Sequence, residues 1–432
     1  MKICVIGTGY VGLVSGACFS DLGNNVICVD KEKDKIFDLK NGIIPIYEPG
    51  LKELVVKNYK TKKLNFTNDL ESAVRKSDII FISVGTPAKK NSNAADLTQV
   101  YDVSKEIRKY IRSFKIIVIK STVPVTTCDK IEKIILKKIS IKKFSIVSNP
   151  EFLREGEAIR DFIYPDRIVI GTSNKKSNKI LKSLYSPLIS KGAKYFNTTR
   201  RAAELIKYSS NAFLATKITF INEIANLCEK TNINIEDVAI GIGLDNRIGS
   251  RFLRAGPGYA GSCFPKDTRA IVETGKKFKT DLSIIKNVIK SNQNRSNILL
   301  SRVFKILNNK IKNKKICFLG VTFKANTDDM RESSSLKMIP YLTKKGAKIT
   351  YYDPTGEKKE FKKNKNVKFC NTIISACSLC DLIILHTEWN DFKSLNFKNL
   401  SRKKNFALYD MRNIYSLGKM KKDKIIYFGI GR

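Results

Sequence analysis

A glycine-rich loop that ends in a cysteine carries the strongest chemical signal in the chain. Residues 256–267 read GPGYAGSCFPKD, so Cys263 is followed closely by Lys266 and Asp267. Pro265 suits the first turn of a helix, which places Cys263 directly before a predicted helix N-terminus. A helix N-terminus and a neighbouring lysine both stabilise a thiolate, the nucleophilic form of cysteine. An isolated cysteine is more often a buried packing residue, but these neighbours favour a nucleophile, with Asp267 one turn further on.

Polar residues at helical spacing form a second candidate group. Glu204, Lys207 and Asn211 stand at i, i+3 and i+7, so they share one face of a predicted helix. This face either presents an ammonium and a carboxamide to a substrate or is solvated, and spacing alone favours the solvated alternative. Two segments are too specific for ordinary loops, KSTVP at 120–124 and NPEFLREG at 149–156. Each follows a predicted strand, and ligands bind at the carboxyl ends of strands in open α/β sheets.

Gly7, Gly9 and Gly12 form a G-x-G-x-x-G motif, GTGYVG, between a predicted strand and a predicted helix. The first glycine permits a tight turn, the second lets the backbone approach a pyrophosphate, and the third allows close packing of helix on strand. The phosphates then bind at the helix N-terminus. Asp30 ends the second predicted strand, 18 positions after Gly12. An acid there accepts hydrogen bonds from a ribose 2′-hydroxyl and repels a 2′-phosphate, which predicts NAD as the cofactor.

Apolar runs and amphipathic stretches alternate over the first half of the chain, which predicts an N-terminal, doubly wound Rossmann-type α/β domain. Arg200–Lys230 has no proline or glycine, which predicts one helix of about 30 residues, or roughly 45 Å. A helix of that length suits a link between domains and a dimer surface. Alternation resumes near residue 310 and predicts a second, smaller C-terminal α/β domain. The expected domains are therefore 1–198, a helical central domain at 199–309 with the cysteine loop, and 310–432. The predicted strands are Ile3–Ile6, Val26–Val29, Ile79–Val84, Ile116–Ile119, Ser145–Ser148, Ile316–Leu319, Lys348–Tyr352, Leu382–Leu385 and Ala407–Tyr409.

The 432-residue chain has 80 Lys+Arg against 40 Asp+Glu, a formal net charge of +40. Because the lysines are spread along the chain, compositional drift and general attraction of anionic substrates explain this charge better than a nucleic-acid site. Cys377 and Cys380 form one C-x-x-C without a second pair or spaced histidines, so buried thiols are favoured over a metal site. There is no signal-peptide layout and no stretch of ~18 apolar residues, so we expect a soluble, cytoplasmic protein without membrane contact.

Together these motifs resemble the UDP-glucose 6-dehydrogenase family of nucleotide-sugar dehydrogenases. The resemblance runs along essentially the whole chain in family order: GTGYVG, VGTP at Val84–Pro87, STVP, NPEFLREG, ELIKYSSN, FLRAGPGYAGSCFPKD, GVTFKANTDDMRES and TEW. It implies an N-terminal NAD domain, a long helix at a homodimer interface, and a C-terminal domain that helps hold a UDP-sugar. It also implies oxidation of UDP-glucose to UDP-glucuronate with two NAD per sugar, through a thiohemiacetal and a thioester on Cys263.

The resemblance also implies roles for individual residues. Lys207 would stabilise an oxyanion, Asn211 would orient the substrate, and Asp267 with Thr122 and Glu151 would manage protons and water. The implied NAD contacts are Gly7, Gly9, Tyr10, Val11, Gly12, Asp30, Lys35, Thr86, Thr122, Glu155, Lys266 and Arg331. The implied substrate contacts are Glu151, Phe152, Leu153, Arg154, Glu155, Lys207, Asn211, Phe252, Leu253, Arg254, Ala255, Gly256, Ala260 and Lys324, with Arg247 reaching the substrate of the partner subunit.

Ala260 departs from the family pattern, because the family loop usually has glycine at this position. If the position requires a positive φ, alanine costs about 1 kcal/mol and shifts the loop. Two alternatives stay open: a sister enzyme acting on GDP-mannose or a UDP-N-acetylhexosamine, and a non-catalytic basic protein that binds nucleotides or nucleic acid. Ser262, where aminosugar enzymes usually carry histidine, and the following FPKD favour the UDP-glucose branch. The complete set of candidate catalytic residues argues against the non-catalytic alternative.

Overall fold

The computed structural model describes residues 1–90, 92–401, 403 and 405–432. The chain divides into two compact units: unit 1 is Met1–Ser210 with Arg269–Thr280, and unit 2 is Asn211–Thr268 with Asp281–Arg432. The first cut between the units falls inside one continuous helix, Arg200–Thr231. The division into three domains at residues 198 and 309 stays a prediction.

Unit 1 contains an eight-stranded sheet with inner strands that are apolar along most of their length. The strands are β1 (Lys2–Ile6), β2 (Asn25–Val29), β3 (Leu64–Thr67), β4 (Ile79–Ile82), β5 (Lys115–Ile119), β6 (Phe144–Ser148), β7 (Arg167–Gly171) and β8 (Lys194–Thr198). Every residue of β4, β5 and β6 is buried, as expected of strands covered on both faces. The order is β3-β2-β1-β4-β5-β6-β7-β8, and the pairs are parallel except where β7 meets β6.

Helices cover both faces of this sheet, because its strands contribute to two separate buried apolar clusters. The helices are α1 (Tyr10–Asp21), α2 (Lys33–Lys40), α3 (Leu51–Lys60), α4 (Leu70–Lys76), α5 (Thr98–Tyr110), α6 (Thr127–Leu136), α7 (Ala158–Ile163), α8 (Lys175–Leu184) and α9 (Ser186–Ile189). The doubly wound Rossmann-type prediction is therefore confirmed. The strand order reverses between β1 and β4, and ligands of such sheets bind outside the carboxyl ends of the strands at that point.

The middle of the chain is helical, as predicted. Its helices are α10 (Arg200–Thr231), α11 (Ile235–Gly243), α12 (Phe264–Lys277) and α13 (Ser283–Ile306). α10 runs for 32 residues, one residue beyond the predicted end. None of the helices among the described residues is both long and apolar enough to cross a membrane.

Unit 2 contains a six-stranded parallel sheet with its own helices, which confirms the smaller C-terminal α/β fold. The strands are β9 (Lys315–Leu319), β10 (Lys348–Tyr352), β11 (Val367–Phe369), β12 (Leu382–Leu385), β13 (Ala407–Asp410) and β14 (Ile426–Gly429). The helices are α14 (Ser335–Lys344), α15 (Ile373–Cys377), α16 (Phe397–Leu400) and α17 (Leu417–Lys422). The order β11-β10-β9-β12-β13-β14 repeats the order of the first six strands of unit 1. Cys377 and Cys380 are buried thiols, as predicted.

The strands that the sequence pattern missed are edge strands of the two sheets, together with β7, which lies next to an edge strand. β8 (Lys194–Thr198) is the clearest case. None of its residues is fully buried, so its sequence does not alternate between apolar and polar residues. β11 (Val367–Phe369) has three residues, fewer than a periodic pattern needs. The remaining missed strands are β3, β7 and β14.

Candidate active site

Asp30 is the carboxylate that organises the G-x-G-x-x-G loop. Its Oδ2 accepts hydrogen bonds from the backbone N–H of Thr8 at 2.9 Å and from the hydroxyl of Thr8 at 2.7 Å, and Lys35 Nζ lies 2.9 Å away. Burial alone would raise the pKa of Asp30, but these donors outweigh it and lower the pKa to about 2. Asp30 is therefore ionised at neutral pH, as an acceptor for ribose hydroxyls should be.

The glycines of this loop differ in their surroundings. A side-chain carbon at Gly12 would collide with the carbonyl oxygen of Gly7, so the close packing of α1 demands glycine there. At Gly9, apart from the glycine itself and its neighbours in the chain, no atom of the described residues lies within 4 Å of such a carbon. Tyr10 and Val11 follow as the first turn of α1, so the open space faces a helix N-terminus. This arrangement fits the pyrophosphate of the predicted NAD.

Glu48 joins the nucleotide loop to the NPEFLREG segment. This buried carboxylate accepts a hydrogen bond from the Tyr10 hydroxyl, and its oxygens also accept the backbone N–H groups of Gly156 at 2.6 Å and Ala158 at 2.8 Å. Glu48 lies in a loop without helical or strand periodicity, so no pattern marked it as a site residue. A carboxylate beside the turn residues Pro49 and Gly50 is the signal that could have found it.

Glu151 and Lys207 form a buried ion pair in unit 1. Glu151 Oε1 lies 3.1 Å from Lys207 Nζ, and the two side chains are 5% and 4% exposed. Glu151 Oε2 accepts the backbone N–H of Leu153 at 2.6 Å, and the Phe152 ring centroid lies 5.3 Å from the ammonium. Burial alone would raise the pKa of Glu151, but Lys207 and the Leu153 N–H outweigh it and lower that pKa. The pair is therefore held as carboxylate and ammonium.

The rest of NPEFLREG contains two more predicted contacts. The exposed guanidinium of Arg154 is bound to Asp161, with Nε 2.9 Å and Nη2 2.6 Å from the two carboxylate oxygens, and also pairs with Glu157. Glu155 is half-buried beside Gly156, whose backbone is held by Glu48. The segment is thus fixed through its backbone and its flanking carboxylates, and the ligand contacts of Arg154 and Glu155 stay predictions.

Glu204, Lys207 and Asn211 share one face of α10, but this face is buried, so the solvated alternative is wrong. Glu204 does not point to a ligand. Its carboxylate accepts the backbone N–H groups of Thr126 at 2.8 Å and Cys128 at 2.7 Å and so caps the N-terminus of α6. Burial raises the pKa of Glu204, and these two N–H groups act against that rise.

Thr86 and Thr122, two predicted NAD contacts, are linked directly. The Thr86 hydroxyl donates to the carbonyl oxygen of Thr122 at 2.9 Å, so the loops after β4 and β5 are joined at the carboxyl ends of the strands. The turn that follows Thr122 includes Thr126 at φ +78°, a left-handed conformation that is held by the Glu204 cap. These loops are therefore placed where the sheet binds its ligand.

Cys263 stands directly before α12 in unit 2, as its proline-containing sequence predicted. Its carbonyl accepts the N–H of Asp267 at 2.9 Å, and its half-buried Sγ lies 3.4 Å from the Ser262 hydroxyl. The buried carboxylate of Asp267 binds the Asn211 amide at 2.6 Å and the ammonium of Lys266. Four of the predicted site residues, Asn211, Cys263, Lys266 and Asp267, are therefore brought together in unit 2.

Three side chains hold the backbone of the cysteine loop, and none of them was predicted as a site residue. The N–H of Gly256 donates to Asn222 Oδ1 at 2.8 Å, and its carbonyl accepts Arg295 Nε at 2.9 Å. The side-chain amide of Asn292 both accepts the Tyr259 N–H and donates to the Tyr259 carbonyl, each at 2.9 Å. Asn292 and Arg295 stand at i and i+3 on α13, where an ordinary polar helix face conceals their role.

Ala260 does not adopt a positive φ, so the expected strain at this position is absent. The positive values in the loop belong to Gly258 at +102° and Gly261 at +81°, and a side-chain carbon at Gly261 would lie 2.7 Å from the Phe323 ring. Alanine is therefore tolerated at 260 because its neighbours take the special conformations. Phe252, a predicted substrate contact, is itself at φ +67°, which is costly for an aromatic residue and typical of functional loops.

The other residues of unit 2 that were predicted to contact a ligand lie at several different positions. Arg331 and Arg247 are exposed and pair with Asp329 and Asp245, each with a closest approach of 2.8 Å or less. Lys324 lies over the Phe323 ring at 5.7 Å. The remaining members of the cysteine loop comprise the exposed Arg254 and the buried Leu253, Ala255 and Gly256. Their ligand contacts stay predictions.

Three family models match successive parts of the chain. The NAD binding domain of the UDP-glucose/GDP-mannose dehydrogenase family matches residues 1–189, its central domain matches residues 201–294, and its UDP binding domain matches residues 317–417. Together these matches include both the G-x-G-x-x-G motif with Asp30 and the glycine-rich segment with Cys263.

Individual proteins agree with the family models. The chain is 48% identical to a UDP-glucose 6-dehydrogenase of Rhizobium meliloti, with all of both chains covered. It is 43% identical to the UDP-glucose 6-dehydrogenase TuaD of Bacillus subtilis, over all of this chain and 93% of the relative. The structure of a UDP-glucose dehydrogenase from the archaeon Pyrobaculum islandicum superposes with a TM-score of 0.90 at 33% identity, covering 99% of this chain and 97% of that one.

The contrast between Gly9 and Gly12 predicts two separable variants. Gly12→Ala should lower the free energy of unfolding by about 2 kcal/mol, because the added carbon overlaps the Gly7 carbonyl. Gly9→Ala should leave that free energy unchanged and weaken NAD binding roughly tenfold or more, because the carbon occupies the open space. Denaturant unfolding and calorimetric titration with NAD measure the two effects. Equal losses of stability in both variants would contradict the assignment of different roles to Gly9 and Gly12.

Proposed function

The chain belongs to the UDP-glucose/GDP-mannose dehydrogenase family, and we propose that it oxidises UDP-glucose to UDP-glucuronate with two NAD per sugar, through covalent intermediates on Cys263. The observation that carries this proposal is the arrangement of Cys263 before α12, beside Asp267 with its two partners Asn211 and Lys266. A four-electron oxidation of an alcohol passes through an aldehyde. A nucleophile that captures the aldehyde prevents its escape and makes the second oxidation resemble the first.

NAD, when bound, accepts hydride in both oxidations. Thr8 and Lys35 hold Asp30 in the form that binds ribose, and the open space at Gly9 admits the pyrophosphate. These features support binding of the cofactor by the chain's own residues. The family match to an NAD binding domain over residues 1–189 agrees with them.

Cys263 supplies the bond that keeps the sugar in place. Its thiolate adds to C6 of the aldehyde to give a thiohemiacetal, whose oxidation leaves a thioester that water hydrolyses to the acid and the thiol. Lys207 stabilises the oxyanion that forms in the addition and in the hydrolysis. A positioned donor of this kind contributes about 3 kcal/mol to such a step.

Asn211 and Asp267 complete the chemistry. Asn211 orients the sugar, and its hydrogen bond to Asp267 fixes the position of both groups. Asp267, Thr122 and Glu151 move protons and hold the water that hydrolyses the thioester. Glu151 is ionised through its pair with Lys207, so its carboxylate can accept a hydrogen bond from that water.

A sister activity on GDP-mannose or a UDP-N-acetylhexosamine is the second candidate. Ser262 before the cysteine and the FPKD sequence after it favour UDP-glucose. The full-length relatives of Rhizobium meliloti and Bacillus subtilis, both named UDP-glucose 6-dehydrogenases, support the same substrate.

All ten cysteines are outside disulfides, which suits a reducing compartment such as the cytoplasm.

The protein is further proposed to act as a homodimer through an exposed apolar stripe on α10. Phe213, Phe220 and Leu227 recur every seven residues and are 65%, 49% and 58% exposed. Ile240 of α11 and Leu244, the residue directly after that helix, are 63% and 77% exposed. Large apolar side chains in such numbers mark an interaction surface rather than a solvated one. Arg247 follows α11, and by family resemblance it reaches the substrate of the partner subunit.

Stoichiometry and a cysteine variant test the reaction. With excess NAD, two NADH should form for each UDP-glucose consumed, because the alcohol is carried to the acid. Cys263→Ser should lose steady turnover by on the order of a thousandfold or more, because the nucleophile is gone. Absorbance at the NADH band measures both results. One NADH per sugar, or a fully active serine variant, would contradict covalent catalysis, and turnover of GDP-mannose alone would transfer the mechanism to the sister substrate.

The dimer is tested by placing a charge in the stripe. Phe220→Asp should yield monomers at micromolar concentration, because burying an unpaired carboxylate in an apolar interface is costly. Phe196→Asp is the matched control, since Phe196 is 52% exposed on β8 of unit 1 and lies outside the stripe. Analytical ultracentrifugation should find the control dimeric. A wild-type monomer, or a Phe220→Asp dimer, would exclude this interface.

A further inference from the structure

Lys120 is a second buried lysine near the Glu151–Lys207 pair, and no step of the proposed reaction uses it. It directly follows β5 and is 5% exposed. β5 and β6 run parallel with Ile119 opposite Ser148, so Lys120 stands beside Asn149, the first residue of NPEFLREG. Its place at the carboxyl end of a central strand is that of a ligand-site residue rather than a surface lysine.

The hydrogen-bond partner of Lys120 is neutral. Lys120 Nζ donates to Asn149 Oδ1 at 3.2 Å. The same oxygen accepts the Tyr185 hydroxyl at 2.6 Å, and Asn149 Nδ2 donates to the Val169 carbonyl at 2.9 Å. The amide is therefore fixed at both ends and positions the ammonium without neutralising it.

Glu151 and Lys207 are the charged groups that act on the pKa of Lys120. Burial lowers the pKa of Lys120 to about 8, with Glu151 acting against the shift and Lys207 adding to it. Glu151 is already paired with Lys207 at 3.1 Å, so a protonated Lys120 adds a second buried ammonium beside that pair. A buried ammonium destabilises a fold relative to an apolar residue of similar length, so a purely structural role would be served better by methionine.

We propose that Lys120 is a positioning residue for the oxidation: held by Asn149, its ammonium keeps Glu151 ionised beside Lys207 and adds a positive charge that favours a developing oxyanion. The inference rests on the proposed function and deepens it. Without Lys120, Glu151 would cancel the charge of Lys207, and the pair would stabilise an oxyanion less.

The charge of Lys120 has a defined pH range. Because burial places its pKa near 8, the ammonium is present below pH 8 and is lost as the pH rises through that value. Turnover of the wild-type protein should therefore fall on the alkaline side, with a midpoint near the same pH.

The test compares Lys120→Met with Lys115→Met in the full chain. Lys115 is the matched control, because it opens the same strand, is 2% exposed, and donates to the carbonyl oxygens of Arg75 at 3.1 Å and Ser77 at 2.6 Å. Lys120→Met should melt no lower than wild type, lose about tenfold or more in kcat with little change in KM, and lack the alkaline fall near pH 8. Lys115→Met should keep the kcat and the pH profile of wild type, whatever its melting temperature.

Wild-type turnover on UDP-glucose is measured first, so a failure of the proposed function appears in the wild type itself. The Lys120 inference is overturned if Lys120→Met retains the wild-type kcat and alkaline fall, or if its loss of activity only follows a loss of folded protein. Lys120→Gln is a second variant, in which the hydrogen bond to Asn149 can persist without the charge. The same loss of kcat in this variant supports the charge as the cause, and full activity overturns it.

Discussion

Burying a charged or strongly polar side chain is costly unless a partner compensates it, and Glu204, Lys207 and Asn211 are buried on one face of α10. Each has a specific partner: Glu204 caps α6, Lys207 pairs with Glu151, and Asn211 binds Asp267. Because α10 is continuous and free of proline and glycine, the spacing of these residues along it is fixed by helical geometry. In unit 1, Glu204 and Lys207 therefore tie the loops after β5 and β6 to the first part of α10. In unit 2, Asn211 ties the start of α12 to the part of the helix that follows.

Particular elements and residues show which parts of the structure can be predicted from the sequence. Strands buried on both faces and the long helix follow from apolar runs and from the absence of helix breakers, so the fold was predicted correctly there. Spacing also placed Glu204 on the face of Lys207 and Asn211, but whether that face is solvated depends on its neighbours, which spacing does not contain. Glu48 and Arg295 act on the backbones of distant loops, and such contacts leave no local periodicity. Ala260 needed the φ values of its neighbours, which only the three-dimensional loop supplies.

Electrostatics acts on two scales in this protein. The formal charge of +40 comes from lysines spread along the chain, and it favours the approach of anionic ligands such as dinucleotides and nucleotide sugars. Selectivity between ligands depends instead on short-range contacts, because the carboxylates of Asp30, Glu151 and Asp267 each bind particular donors. Glu151 and Asp267 are buried where screening by salt is weak, so those interactions should persist at ionic strengths that suppress the general attraction.

Covalent attachment of the sugar to Cys263 is the central claim, and rapid acid quenching during turnover tests it most directly. Wild-type protein is mixed with NAD and UDP-glucose labelled in the hexose, quenched within the first turnovers, and digested for mass spectrometry. We expect the label on the peptide that contains Cys263, with the added mass of a UDP-glucuronyl thioester. Formation of two NADH per sugar with no label on that peptide at any quench time would show that both oxidations proceed without a bond to Cys263.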